Sequence, residues 1–192
     1  MSLTPNGEPA PKSRRRRALL WILVVAVLAG GGYVAYDKLI KDDKGSGGEV
    51  SGTGVNDFTL TFPAGWTPLT RKELETLPGR PIAVIRQKNG KGFFVLRVKG
   101  PAPATFTKFS GDLSAELKKR IKDFQEQSSR TIEVKAGKAF FYSYIRKKKG
   151  TVHKVVVVPA GNKSYVINTV SAGGEKKIAK EVVNMIISFN NK

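Results

Sequence analysis

The residues best suited to chemistry in this sequence are cations. Arg146-Lys147-Lys148-Lys149, followed by Lys154 beyond Gly150, form the densest basic cluster outside the N-terminal segment. Grouped lysines attract anions, and each one close to an acidic membrane adds about 1 kcal/mol. The attraction fades within about 8 Å at physiological salt, so the group must touch its target. The cluster reads as a candidate anion contact, with a solvated turn as the alternative.

Other reactive constellations are scarce. The single histidine, His153, stands beside Lys154 in an apolar run. A general base needs a nucleophile or a carboxylate set against it, and a zinc site needs three or four ligands. There is no second histidine and no cysteine, which also removes thiol nucleophiles, disulfides and a lipidated cysteine. His153 therefore reads as an ordinary strand residue. The carboxylates fall mostly on helical stretches; Glu116 with Arg120, and Lys177 with Glu181, stand four apart as surface ion pairs do. Neither a Gly-x-Ser-x-Gly elbow nor a glycine-rich phosphate loop occurs. The expectation is a binding module, not an enzyme, without cofactor or metal.

The elements that must hold these cations begin at a membrane signal. Arg14, Arg15, Arg16 and Arg17 run into nineteen uncharged residues, Ala18 to Tyr36. As a helix that stretch measures roughly 28 Å, close to a bilayer's hydrocarbon core. Trp21 near one end and Tyr33 and Tyr36 near the other suit the headgroup regions. Basic residues flank the cytoplasmic end of a span, so residues 1–17 are expected inside and everything after Tyr36 outside the cell membrane. A retained single-pass anchor over 18–36 is the expectation. A cleaved secretory signal, with Val27-Leu28-Ala29 as its small-residue site, is the alternative, and Arg16-Arg17-Ala18-Leu19-Leu20 partly fits a twin-arginine export signal. Residues 37–56, rich in Gly and Ser, read as a flexible tether.

Residues 57–192 are the size of one ordinary domain. From Glu49 onward there are 26 Lys+Arg against 11 Asp+Glu, a field that draws acidic proteins, acidic lipids or anionic wall polymer. Nucleic acid is disfavoured, because the aromatics alternate as sheet core and are not interleaved with the basic residues. Asp57 to Phe62 alternates apolar and polar residues, as a half-buried strand does. Thr70-Arg71-Lys72-Glu73 spells a capping box, with Leu69 and Leu74 as the hydrophobic staple. Strands are predicted over Pro81–Gln87 and Phe93–Lys99, joined by a turn containing Asn89-Gly90. Leu113, Leu117, Ile121 and Phe124 recur at helical spacing, with Lys118, Lys119, Arg120 and Lys122 as that helix's solvated face. Strands over Arg130–Lys135, Ala139–Arg146, Thr151–Val158 and Ser164–Ser171 follow, the third apolar on both faces and so central. A last helix buries Ile178, Val182, Met185, Ile186 and Phe189. The fold class is α+β, an antiparallel sheet between helices. Trp66, after the first turn, is expected to pack against the first helix.

Phe58-Thr59-Leu60-Thr61-Phe62-Pro63-Ala64-Gly65-Trp66 resembles the strand and Pro-x-Gly-Trp opening of the PsbP-like family. Ile187-Ser188-Phe189 is similar to that family's ending, and the aromatic strand Phe140–Tyr144 falls in the expected order. The resemblance covers about Asp57 to Asn190. It implies an α/β/α sandwich that docks on larger partners without shared catalysis, as in extrinsic photosystem II subunits, LpqN-type lipoproteins and a Ran-binding branch. It carries no functional residue onto this chain. The combined expectation is a membrane-tethered extracytoplasmic domain that binds or supports an acidic partner at the cell envelope; the alternative is a secreted or wall-associated module binding anionic polymer or acidic lipid after signal cleavage.

Overall fold

The computed structural model describes residues 47–52 and 57–191. The arginine run at 14–17 and the apolar stretch at 18–36 lie outside the described residues. Among the described residues, no helix is long and apolar enough to cross a membrane.

Among the described residues, ten strands and three helices follow one another as β1 (Gly48–Gly52), β2 (Phe58–Phe62), β3 (Trp66–Pro68), α1 (Arg71–Glu75), β4 (Ala83–Gln87), β5 (Gly92–Lys99), α2 (Phe106–Arg120), β6 (Phe124–Val134), β7 (Gly137–Arg146), β8 (Thr151–Ala160), β9 (Lys163–Ala172), α3 (Lys176–Ser188) and β10 (Asn190–Asn191). Seven strands form one antiparallel sheet in the order β3-β4-β5-β9-β8-β7-β6. A small antiparallel sheet, β1-β2-β10, packs beside α3. The α+β expectation of an antiparallel sheet between helices holds.

Alternation along β8 explains the two cores. Val156 and Val158 face one side, with Phe94, Leu96 and Ile167 of the neighbouring strands, and are covered by Ile178, Val182, Met185 and Ile186 of α3. Val155 and Val157 face the other side and meet Phe109, Leu113 and Leu117 of α2. All four valines are buried, as a strand covered on both faces requires. The capping box forms as the sequence spells it, with Thr70 Oγ1 accepting from the Glu73 amide and Glu73 accepting from the Thr70 amide. Leu69 and Leu74 pack together with Val84 and Val95 beneath α1.

Four local readings are corrected. The glycine-rich stretch is not tether throughout: Gly48–Gly52 pairs with β2, Val50 opposite Leu60, so a single apolar residue packed against the core outweighs the flexible composition. The helix bearing Leu113 and Leu117 ends at Arg120, and Phe124 already belongs to β6. That strand starts six residues earlier than its apolar pattern suggests, because its polar half lies at the edge of the sheet, where water replaces one row of side-chain contacts. Trp66 lies under α3 and not under α1: its indole N–H donates to Glu181 Oε2 at 2.8 Å, and Gly92 leaves room for the ring.

Candidate functional site

The tip between β7 and β8 is a single 3₁₀ turn, Lys147–Lys149, closed by Gly150 at φ 59°. Only glycine adopts that left-handed conformation without strain, so the turn is compact. All three lysines are exposed.

Asp123, from the junction between α2 and β6, braces the tip. Its Oδ1 accepts from Arg146 Nη2 at 3.0 Å and Nε at 3.2 Å. Its Oδ2 accepts from the Lys148 amide at 3.1 Å, and its carbonyl from the Lys147 amide at 3.1 Å. Burial works against the charged carboxylate, yet the Arg146 hydrogen bonds and charge outweigh it and hold the acid below its usual range. Arg146 is thus spent on this brace, its side chain 15% exposed, and does not belong to the exposed basic surface.

The same brace brings a second group of cations beside the first. Asp123 lies three residues past the end of α2, whose last turn carries Lys118, Lys119 and Arg120, all exposed, followed by exposed Lys122. Cations there also suit the negative end of the helix dipole. Arg120 is paired with Glu116. Asp123 therefore ties the 147–149 turn to the end of α2, near which lysines 118, 119 and 122 stand. The sequence shows both clusters but not this tie, since the contact joins residues 23 to 25 positions apart through Asp123.

Lys154 lies elsewhere. It points to the α3 side of the sheet, opposite Ser143 on β7 and Thr169 on β9, and is 8% exposed. Burial pulls its ammonium below the usual lysine value. His153, its neighbour, faces the α2 side, with its ring stacked on Tyr144 at 4.7 Å and Nε2 2.9 Å from Thr151 Oγ1. Burial, aided by Arg146 and Lys149, pushes it down to about 3, so it is a neutral ring inside the sheet at physiological pH. Among the described residues, no group of three His, Asp or Glu is placed to hold a metal ion.

The architecture is a PsbP-like fold. The solution structure of cyanobacterial PsbP (CyanoP) from Synechocystis superposes with a TM-score of 0.54 at 14% identity, over 77% of this chain and 93% of that one. LpqN of Mycobacterium tuberculosis, described as involved in cell envelope biogenesis, gives 0.52 at 16% identity over 81% and 95%. The Saccharomyces cerevisiae Ran-binding protein Mog1p gives 0.51 at 10% identity over 76% and 95%. No protein-family model and no curated protein matches the sequence.

Proposed function

We propose that this chain is a non-enzymatic, membrane-tethered, extracytoplasmic binding module whose basic surface takes an acidic partner at the cell envelope. The observation that carries the reading is the Asp123 brace, which ties the 147–149 turn to the end of α2, where a second group of exposed lysines stands. An exposed group of cations held by a partly buried ion pair is pre-organised for a polyanion, and association gains in rate from the field of the whole domain. The tether is read from Arg14–Arg17 and the uncharged run that follows. Among proteins of this fold, one is described as Ran-binding and another as involved in cell envelope biogenesis, which fits a module that works through contacts.

The test uses the full chain in its own membranes. Alkaline carbonate should leave it in the membrane fraction, and protease added to intact cells should remove the domain and spare a short N-terminal fragment. Affinity capture in mild detergent should recover an acidic component that is lost when Lys147, Lys148 and Lys149 are all changed to Gln. Capture that is unchanged in this triple variant would reject the basic surface as the binding site.

A further inference from the structure

The connections of the seven-stranded sheet collect at two ends, and their charges differ. At the end holding the 147–149 turn lie the α2–β6 junction, the β4–β5 turn and the start of α3. Gly173 N donates to Gly150 O at 2.6 Å, which fastens the approach to α3 against the basic tip. That approach leads into exposed Lys176 and Lys177, and the β4–β5 turn adds exposed Lys88 and Lys91. Of the acids at this end, Asp123 pairs with Arg146, Glu175 with Lys91 and Glu116 with Arg120, while exposed Glu49 stands beside the entry of β1. The opposite end is more nearly balanced: Arg71 pairs with Glu75, Lys108 with Asp112, and Lys138 stands opposite Glu133, although Lys99, Lys135 and Lys163 also lie there.

The chain enters the domain at the basic end. Gly48 opens β1 opposite Phe62. Gly47 sits so close to the following turn that a Cβ there would lie 2.8 Å from Ala64 N. The next residue, Gly65, accepts from the Lys88 amide at 3.0 Å, which ties the entry point to the β4–β5 turn. Only ten residues, 37–46, separate this point from Tyr36. Even fully extended they span no more than about 35 Å.

We infer that the basic end rests on the anionic headgroups of the same membrane that tethers the chain, with the opposite end directed away from it. This deepens the proposed function and depends on its tether. Entry point and cations share one end of the fold, so a membrane at the tether meets that end first. Attraction that decays over about 8 Å then favours direct contact over a freely tumbling domain. Short confinement also raises the effective concentration of the surface before the domain, as with any linked pair of binding events.

The chain has no cysteine, so single labels can be introduced cleanly. Gly174→Cys marks the basic end, at a position where a side chain meets nothing within 4 Å. Asn162→Cys marks the opposite end, on the exposed β8–β9 turn. The full-length chain, fluorescently labelled at one site, is placed in lipid nanodiscs carrying a headgroup quencher, made of phosphatidylcholine alone or of an equal mixture with phosphatidylglycerol. In anionic discs the label at 174 should be quenched several-fold more than that at 162. Salt near 1 M, where screening acts within about 3 Å, should abolish the difference. So should replacing lysines 118, 119, 122 and 147–149 by Gln. Equal quenching of the two labels in anionic discs overturns the inference while leaving the tether intact, and directs the search to acidic proteins or wall polymer. A chain that fails to enter discs of either composition overturns the tether and the inference together.

Discussion

His153 lies inside the sheet, stacked on Tyr144 and beneath the cations of the basic end. Its folded value, pushed down to about 3, lies below the ordinary 6.5. Between those two values the unfolded chain binds a proton that the folded chain refuses. Stability is therefore fully present above about 6.5 and is lost as pH falls toward 3. One such group steepens the dependence by up to about 1.4 kcal/mol per pH unit. His153→Phe keeps a ring against Tyr144 and removes the titration. We expect urea midpoints of wild type and variant to converge at pH 7 and to separate by pH 4, with the variant higher. Parallel midpoints across that range would mean that other groups carry the acid sensitivity. Asp123 acts in the same sense at lower pH, since its folded value is also depressed. Asp123→Ala should lower the melting temperature more than Asp123→Asn, because asparagine retains an acceptor for the Lys148 amide.

At the scale of elements, packing around Trp66 and the two faces of the sheet gives the clearest tests. Gly92 opens β5 under the indole ring, where an added Cβ would fall 2.5 Å from Trp66 Cη2 and 3.1 Å from Ile178 Cγ2. The ring cannot retreat, being fully buried and hydrogen-bonded to Glu181. Gly92→Ala should cost about 1–3 kcal/mol through overpacking. Leu117→Ala on α2 and Ile186→Ala on α3, each 1% exposed, should each cost about 2–5 kcal/mol through the cavity left behind. Denaturant unfolding measures all three. What the sequence made legible at this scale was local: the capping box, the Asn-Gly turn, and the valine run whose two faces are both covered. Legibility failed where a partner far along the chain decides the outcome. β1 forms because β2 offers an edge and Leu60 a neighbour for Val50. The polar start of β6 is a strand because β7 pairs with it, with a bulge between Glu126 and Ser128. The basic surface was visible as two clusters, and only the contact through Asp123 ties one to the other.

For the whole molecule, β1 and the charge asymmetry set the expectations. Every described strand and helix lies between Gly48 and Asn191, so a chain beginning at Gly47 should fold cooperatively. One beginning at Asp57 lacks β1, leaving β2 with β10 alone as a partner, and should melt lower. The folded chain carries a large excess of positive charge, greater at one end than at the other, and that excess repels itself in the compact state. Added salt screens the repulsion: the Debye length falls from about 30 Å at 0.01 M to about 3 Å at 1 M. We therefore expect the melting temperature of the chain from Gly47 to rise with sodium chloride. The rise should be smaller when Lys147, Lys148 and Lys149 are changed to Gln, and the variant should be no less stable than wild type at low salt. This result matters for the membrane test, because salt is also what should detach the basic end from lipid. If salt stabilises the fold while releasing the domain, release reports a lost electrostatic contact and not unfolding. If the melting temperature falls instead, paired charges such as Asp123 with Arg146 outweigh the unpaired excess, and the basic end is less a repulsive cluster than a balanced one.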